Sequence, residues 1–291
     1  MICLIWGTTW LAIRIGLETL TPVYSAGLRF LTASVILFLY IKIRKLTVNT
    51  DSKSLIIYLM MALFTFIVPF SLIYWGQQHV ASGIASVLFS VYPFFVAIFS
   101  KVAFRDEKIG VAKVFSLLIG FSGILLLFVD KLNFGLNNSV LGMLAIVMGG
   151  FLQAFAVIII KKYGKHLNVV TMNFVPITLG ALVLIPVGLL TEDVASINYT
   201  AESFLSILYL GVFGTLITFS AYYWLLKKIN IVLLSLVAFI TPIIALIFGW
   251  IFYNESLNTL QMFGTLLILF SLTLASIKPS SLKFLRINKV S

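Results

Sequence analysis

The chain has 291 residues, of which 61% are hydrophobic and 10% charged, with a net charge of +11. Soluble domains are about 45–50% apolar and about 25% charged, so this composition excludes a water-soluble globular fold and makes lipid the solvent for most of the chain. The positive charge lies in short clusters between apolar runs, which excludes a basic face for nucleic acid.

A hydrocarbon core about 30 Å thick needs roughly 20 helical residues. The apolar runs predict ten spans, in chain order 1–18, 22–42, 54–77, 81–104, 108–129, 139–160, 168–190, 203–226, 230–253 and 258–277. The first run lacks the basic flank and small-residue cleavage site of a signal peptide and reads as a span. Thr21-Pro22, Asn49-Thr50-Asp51, Asn137-Asn138-Ser139 and Lys278-Pro279 punctuate the breaks. The runs are apolar all round and too long for barrel strands, so the expected fold class is an all-α polytopic membrane protein.

Lys and Arg set the expected orientation. Of the 20 cations, all but Arg14, Arg29 and Lys131 fall in alternate loops or in the tail after residue 277. Both termini are therefore expected on the cytoplasmic side of the cell membrane, with a basic cytoplasmic tail at 278–291. The single cysteine, Cys3, has no disulfide partner and no metal-ligand spacing, and no cofactor or metal is expected.

The chain also repeats itself at an offset of 149. Phe70-Ser71 returns as Phe219-Ser220, Tyr74-Trp75 as Tyr223-Trp224, Ser86 as Ser235 and Pro93 as Pro242. Five spans per copy is an odd number, so the second copy is expected upside down relative to the first. Two inverted five-helix repeats, 1–129 and 139–277, are a layout typical of transporters.

Leu4-Ile5-Trp6-Gly7-Thr8-Thr9, Arg29-Phe30, and the stretches from Tyr92-Pro93 to Asp106-Glu107 and from Thr241-Pro242 to Asn254-Glu255 together resemble the EamA family of the drug/metabolite transporter superfamily. The resemblance covers the whole chain. It implies a ten-helix, five-plus-five carrier of a small metabolite and leaves the substrate open.

Several side chains inside the spans are candidates for the work. Arg29 lies about two turns into the second span, and an intramembrane charge is by default a functional-site hypothesis. It reads as a docking cation for an anionic or zwitterionic substrate, such as an amino acid, or as a structural arginine that ties helix ends. Arg14 has Glu18 four residues on, and the two read as a structural ion pair or as an outer gate whose pairing changes as the carrier opens. Trp10 is the tryptophan nearest mid-span, and its indole N–H needs a partner away from lipid. Gln153 is also mid-span and reads as a substrate ligand or an interhelical bond. Pro93 and Pro242 each remove a helix hydrogen bond and read as paired hinges, with Tyr92 and Thr241 beside them. The set expected to bind substrate is Trp10, Arg29, Tyr92, Gln153 and Thr241. Tyr74-Trp75 and Tyr223-Trp224 fall at span ends and read as interfacial anchors in preference to substrate contacts.

No Asp or Glu lies near a span centre, which argues against coupling through a buried midplane carboxylate. Facilitated diffusion, exchange, and coupling through unwound carbonyls stay open. The leading reading is a carrier working by alternating access, with the lipid bilayer and a small-molecule substrate as its partners. Gly120-Phe121-Ser122-Gly123 resembles an intramembrane serine-protease motif, and a channel or sensor is a further alternative. A nucleophilic serine needs a base within reach, and His79 and His166 are expected at opposite membrane edges.

Overall fold

The computed structural model describes residues 1–104, 111–132, 137–235 and 237–276. The basic tail at 278–291 and the acids Asp106 and Glu107 lie outside the described residues. The regular structure of the described residues is helical, without strands. The helices are α1 (Ile2–Gly16), α2 (Pro22–Arg44), α3 (Ser52–Gln77), α4 (Ser82–Ala103), α5 (Val111–Leu132), α6 (Asn138–Tyr163), α7 (Val169–Thr191), α8 (Ala201–Lys228), α9 (Ile231–Tyr253) and α10 (Thr259–Ser276). Their ends carry ordinary punctuation. Pro22 opens α2, Asp51 and Asn137 accept N-terminal backbone N–H groups of α3 and α6, and Thr200 and Ser203 cap α8 reciprocally.

Seven of these helices, α2–α4 and α6–α9, are long and apolar enough to cross a membrane. The expectation of ten spans is met only in part. Helix α1 has 15 residues, or about 22 Å at 1.5 Å per residue, and the qualifying apolar stretches of α5 and α10 are also short.

Packing follows a two-fold exchange. If α1–α5 are swapped with α6–α10 in order, the contact of α1 with α9 becomes that of α6 with α4. Likewise α3 with α6 becomes α8 with α1, and α2 with α8 becomes α7 with α3. The pairs α2–α7, α4–α9 and α5–α10 map onto themselves. Helix association in lipid depends on close van der Waals fit, because the tails are as apolar as the side chains. The α5–α10 pair shows this. A Cβ on Gly123 would stand 2.6 Å from the Gly264 carbonyl, and one on Gly264 would stand 2.8 Å from the Gly123 carbonyl.

The two ends of the bundle are chemically opposite. At one end, Glu192 accepts the N–H groups of Val23 and Tyr24 at 2.8 and 3.0 Å, and Glu255 accepts those of Ser82 and Gly83 at 2.9 and 3.0 Å. At the other end, Lys161 donates to the Leu226 and Ile229 carbonyls, and Lys227 donates to those of Lys165 and Leu167. Acids at helix N-termini and cations at C-termini both complement the helix dipole. Asp51, at the lysine end, is held below the usual carboxylate range by the Ser54 hydroxyl and N–H.

Helices α3 and α8 each contain a wide, π-type turn, at Ala62–Ile67 and Leu210–Ile217. These turns coincide under the offset of 149. Pro69 has no N–H to give to the Thr65 carbonyl, and Gln153 Nε2 on α6 donates there at 3.2 Å. The repeat mate of Thr65 is Gly214, whose carbonyl accepts Trp6 Nε1 from α1 at 3.3 Å. Thus each wide turn offers a carbonyl, and the first helix of the opposite repeat supplies the donor.

Three outcomes follow. Gly123→Leu should separate α5 from α10 and cost at least about 1–3 kcal/mol, as overpacking does, read as a lower thermal midpoint in detergent. Ser122, which is exposed and donates to the Leu118 carbonyl of its own helix, should tolerate alanine within about 0.5 kcal/mol. Gln153→Leu should cost about 1–3 kcal/mol by stranding the Thr65 carbonyl, and a Pro69→Ala background that restores an N–H should shrink that loss. Equal losses in both backgrounds would remove the coupling.

Candidate functional site

A cavity lies where the two repeats face each other. Among the described residues it is lined from α1, α2, α3, α4, α6, α8 and α9 and by nothing from α5, α7 or α10. Trp10, Arg29, Tyr92, Gln153 and Thr241, the five residues singled out from the sequence as substrate contacts, all line it. Several lining residues are repeat mates: Phe70 with Phe219, Ile73 with Tyr222, Phe89 with Ala238, and Tyr92 with Thr241.

The wall is mainly aromatic. Trp6 sits 5.4 Å from Phe219 and 5.3 Å from Tyr222 between ring centroids, and Trp10 lies 5.5 Å from Phe89. Phe89 and Tyr92 stack at 5.8 Å with their planes 7° apart. Tyr92 and Tyr222 share a hydroxyl–hydroxyl bond of 2.7 Å. Trp6, Thr9, Trp10 and Ile13 reach the cavity because i, i+3, i+4 and i+7 form one face of α1.

Arg29 supplies the charge. It is 2% exposed, and its bonds go to neutral acceptors: Nε donates to Thr215 Oγ1 at 2.6 Å, Nη2 to the Gly214 carbonyl at 3.0 Å and Nη1 to the Tyr74 hydroxyl at 3.4 Å. The guanidinium carbon stands 4.7 Å from the centre of the Phe70 ring. The Gly214 carbonyl thus receives both Arg29 and Trp6, and the wide turn in α8 is what presents it. Among the described residues, no Asp or Glu lines the cavity. The guanidinium, with its five donors, thus has only neutral acceptors beside it among the described residues.

The structure corrects three readings. Glu18 lies just beyond the end of α1 at Gly16, and among the described residues it forms no ion pair with Arg14. Its carboxylate accepts the Tyr253 hydroxyl, while Arg14 Nε is buried without a hydrogen-bond partner. The two prolines are not equivalent. Helix α4 stops at Phe89 and restarts at Tyr92 with Pro93 in its new first turn, whereas Pro242 sits inside continuous helix from Val237 to Tyr253. Ser90 and Val91, whose N–H groups reach back to Val87 and Leu88, make the break. Finally, Tyr74 and Tyr223 are fully buried and are not interfacial anchors. Tyr74 bonds Arg29, and Tyr223 lines the cavity. Only their neighbours face outward, Trp224 at 50% exposure and Trp75 half-buried.

The serine motif has no catalytic setting. Ser122 donates within its own helix, His166 pairs with Ser54 at 2.9 Å, and His79 packs edge-on against Trp75. Sequence reasoning missed Thr65, Phe70, Phe219, Tyr222 and Tyr223 as cavity residues. The signal for the aromatic ones was present. Phe219, Tyr222 and Tyr223 stand at helical spacing and repeat Phe70, Ile73 and Tyr74.

Comparison with known proteins agrees with this architecture. The EamA-like transporter family matches residues 1–129 and 140–277. The chain is 30% identical over 268 residues to the uncharacterized transporter YoaV of Bacillus subtilis, covering 92% of this chain and 91% of that protein. It is 30% identical over 262 residues to protein PagO of Salmonella typhimurium, covering 90% and 86%. The uncharacterized inner membrane transporter YedA of Escherichia coli is 28% identical over 291 residues, covering 94% and 88%. A solved crystal structure shares the fold with a TM-score of 0.71 over 94% of each chain, at 15% identity. With a family match across both halves and relatives at 30% identity over nearly the full length, the chain belongs to the EamA-like transporter family.

Proposed function

We propose that this protein is a carrier that binds a small organic anion between two inverted five-helix repeats and passes it across the membrane by alternating access. The observation that carries the reading is the buried Arg29 guanidinium, which borders the aromatic cavity without a carboxylate partner. In this reading Arg29 holds a carboxylate or phosphate. Trp6, Trp10, Phe70 and Phe219 enclose the apolar body. Tyr92, Gln153 and Thr241 orient the ligand's remaining polar groups. The ammonium of an amino acid would meet aromatic faces but no acid in this wall, so an apolar monoanion fits better than a zwitterion.

The two-fold exchange of contacts and the agreement of ten helices with ten predicted runs support ten spans in two inverted halves. The short α1, α5 and α10 cross where tilt, local thinning or flanking residues accommodate the mismatch. The break at Ser90–Val91 is the proposed hinge in the first repeat, with Pro242 its unbroken counterpart. The lysine-rich end is assigned to the cytoplasm, which leaves both termini on that side.

Counterflow of labelled phenylacetate and phenylalanine in proteoliposomes tests the function. Phenylacetate should exchange, and phenylalanine should exchange more slowly. Arg29→Ala should weaken phenylacetate binding by roughly 10- to 150-fold, the equivalent of about 1.5–3 kcal/mol for hydrogen bonds to a charged group, and Arg29→Lys should restore only part of it. Full exchange by the alanine variant rules out the assigned role. Orientation has its own test: in a Cys3→Ser background, impermeant thiol reagent added outside cells should label Asn198→Cys and not Asn49→Cys. The reverse pattern inverts the topology.

A further inference from the structure

A second, smaller cavity lies at the lysine-rich end, beside the close of α6 and α8. Three of its lining residues are Lys161, Lys165 and Lys227, and among the described residues none of the lining is an acid. The ammonium of Lys161 is held by the Leu226 and Ile229 carbonyls, the latter at 2.8 Å, and that of Lys227 by the Lys165 and Leu167 carbonyls, the former at 3.2 Å. These neutral acceptors fix the charges in place without cancelling them. Among the described residues at this end, the carboxylate of Asp51 is already taken by the N–H and hydroxyl of Ser54.

One side chain joins the two cavities. Tyr223 lines both the lysine chamber and the central cavity, and it is 1% exposed. Its ring packs 5.8 Å from Tyr222 and 5.9 Å from Phe219, both of which line the central cavity. From the chamber, an anion therefore meets three positive charges, then the Tyr223 ring, and then the cavity that Arg29 borders.

We propose that the lysine chamber is an anion-capture site that feeds the central cavity, and that Tyr223 is the partition between them. The ligand class is a small organic carboxylate or phosphate. The lysines raise its local concentration, as one-signed charge in a confined cleft does. Tyr223 then blocks or opens the passage. The inference rests on the reading of the Arg29 cavity as the substrate site, but its test needs no substrate.

The test is thiol labelling in nanodiscs of zwitterionic lipid. Cys3→Ser removes the native thiol, and Ser235→Cys places one in the central cavity wall. Two methanethiosulfonate reagents of similar size are compared, one bearing a sulfonate and one a trimethylammonium group. The sulfonate reagent should react about tenfold faster or more. Lys165→Glu, at an exposed position that leaves both lysine–carbonyl caps untouched, should remove or reverse that preference. Tyr223→Ala should speed both reagents, and Tyr223→Leu should serve as the check if the alanine variant is not monodisperse. Equal reagent rates in the parent, an unchanged ratio in Lys165→Glu, or unchanged rates in the Tyr223 variants would overturn the proposal. Loss of the parent's preference in nanodiscs containing phosphatidylglycerol would assign the chamber to a lipid headgroup and also overturn it. Because labelling is independent of transport, these outcomes are separate from a failure of Arg29→Ala to alter exchange.

Discussion

A guanidinium held within the bundle by three neutral oxygens is the constraint around which this protein is arranged. Burying a charge is costly, and the usual remedy is an acid beside it. Here the remedy is a threonine hydroxyl, a tyrosine hydroxyl and one backbone carbonyl. The carbonyl is available because α8 widens its turn at Leu210–Ile217, and the threonine belongs to the same turn. The aromatic face of Phe70 adds attraction without supplying a negative charge. The helix geometry, the cation and the cavity are therefore one arrangement. Restoring a regular turn in α8 would take away the oxygens on which Arg29 rests.

The fold was readable from the sequence to the extent that it is written in composition and repetition. The apolar runs located every helix to within a few residues, because lipid demands continuous apolar helix. The offset of 149 anticipated that α3 and α8, and α4 and α9, would occupy matching places. Arg29, Trp10 and Gln153 stood out because polar or bulky residues at mid-span need a partner. The sequence was silent where an outcome depends on where a helix ends or how it turns. Glu18 was paired with Arg14 on the assumption that α1 continues, whereas the helix stops at Gly16. Tyr74 and Tyr223 were placed at the lipid surface by their position near span ends. Their direction around the helix axis, which the wide turns shift, sends them inward instead.

Symmetry and its breaking divide the labour. The repeat mates build the enclosure, since Phe70 with Phe219 and Tyr92 with Thr241 lie around the cavity. The unmatched Arg29 gives the enclosure a sign. The polarity of the bundle ends extends the same division. Glutamates finish helix N-termini at one end and lysines finish C-termini at the other, so each end is stabilised by the charge that the helix dipoles favour.

The wide turns in α3 and α8 also carry a record of descent. Each is a register shift, produced when a helix accommodates an extra residue without unwinding. The two shifts fall at equivalent places in the two copies and present equivalent carbonyls, at Thr65 and Gly214, to opposite partners. Only in the first copy does a proline, Pro69, account for the free carbonyl, while Thr218 stands at its place in the second. An irregularity shared by both halves despite different local chemistry is most simply an inheritance from a single five-helix ancestor. On that account the ancestor already offered one carbonyl from a widened turn, and doubling the chain created a site with two.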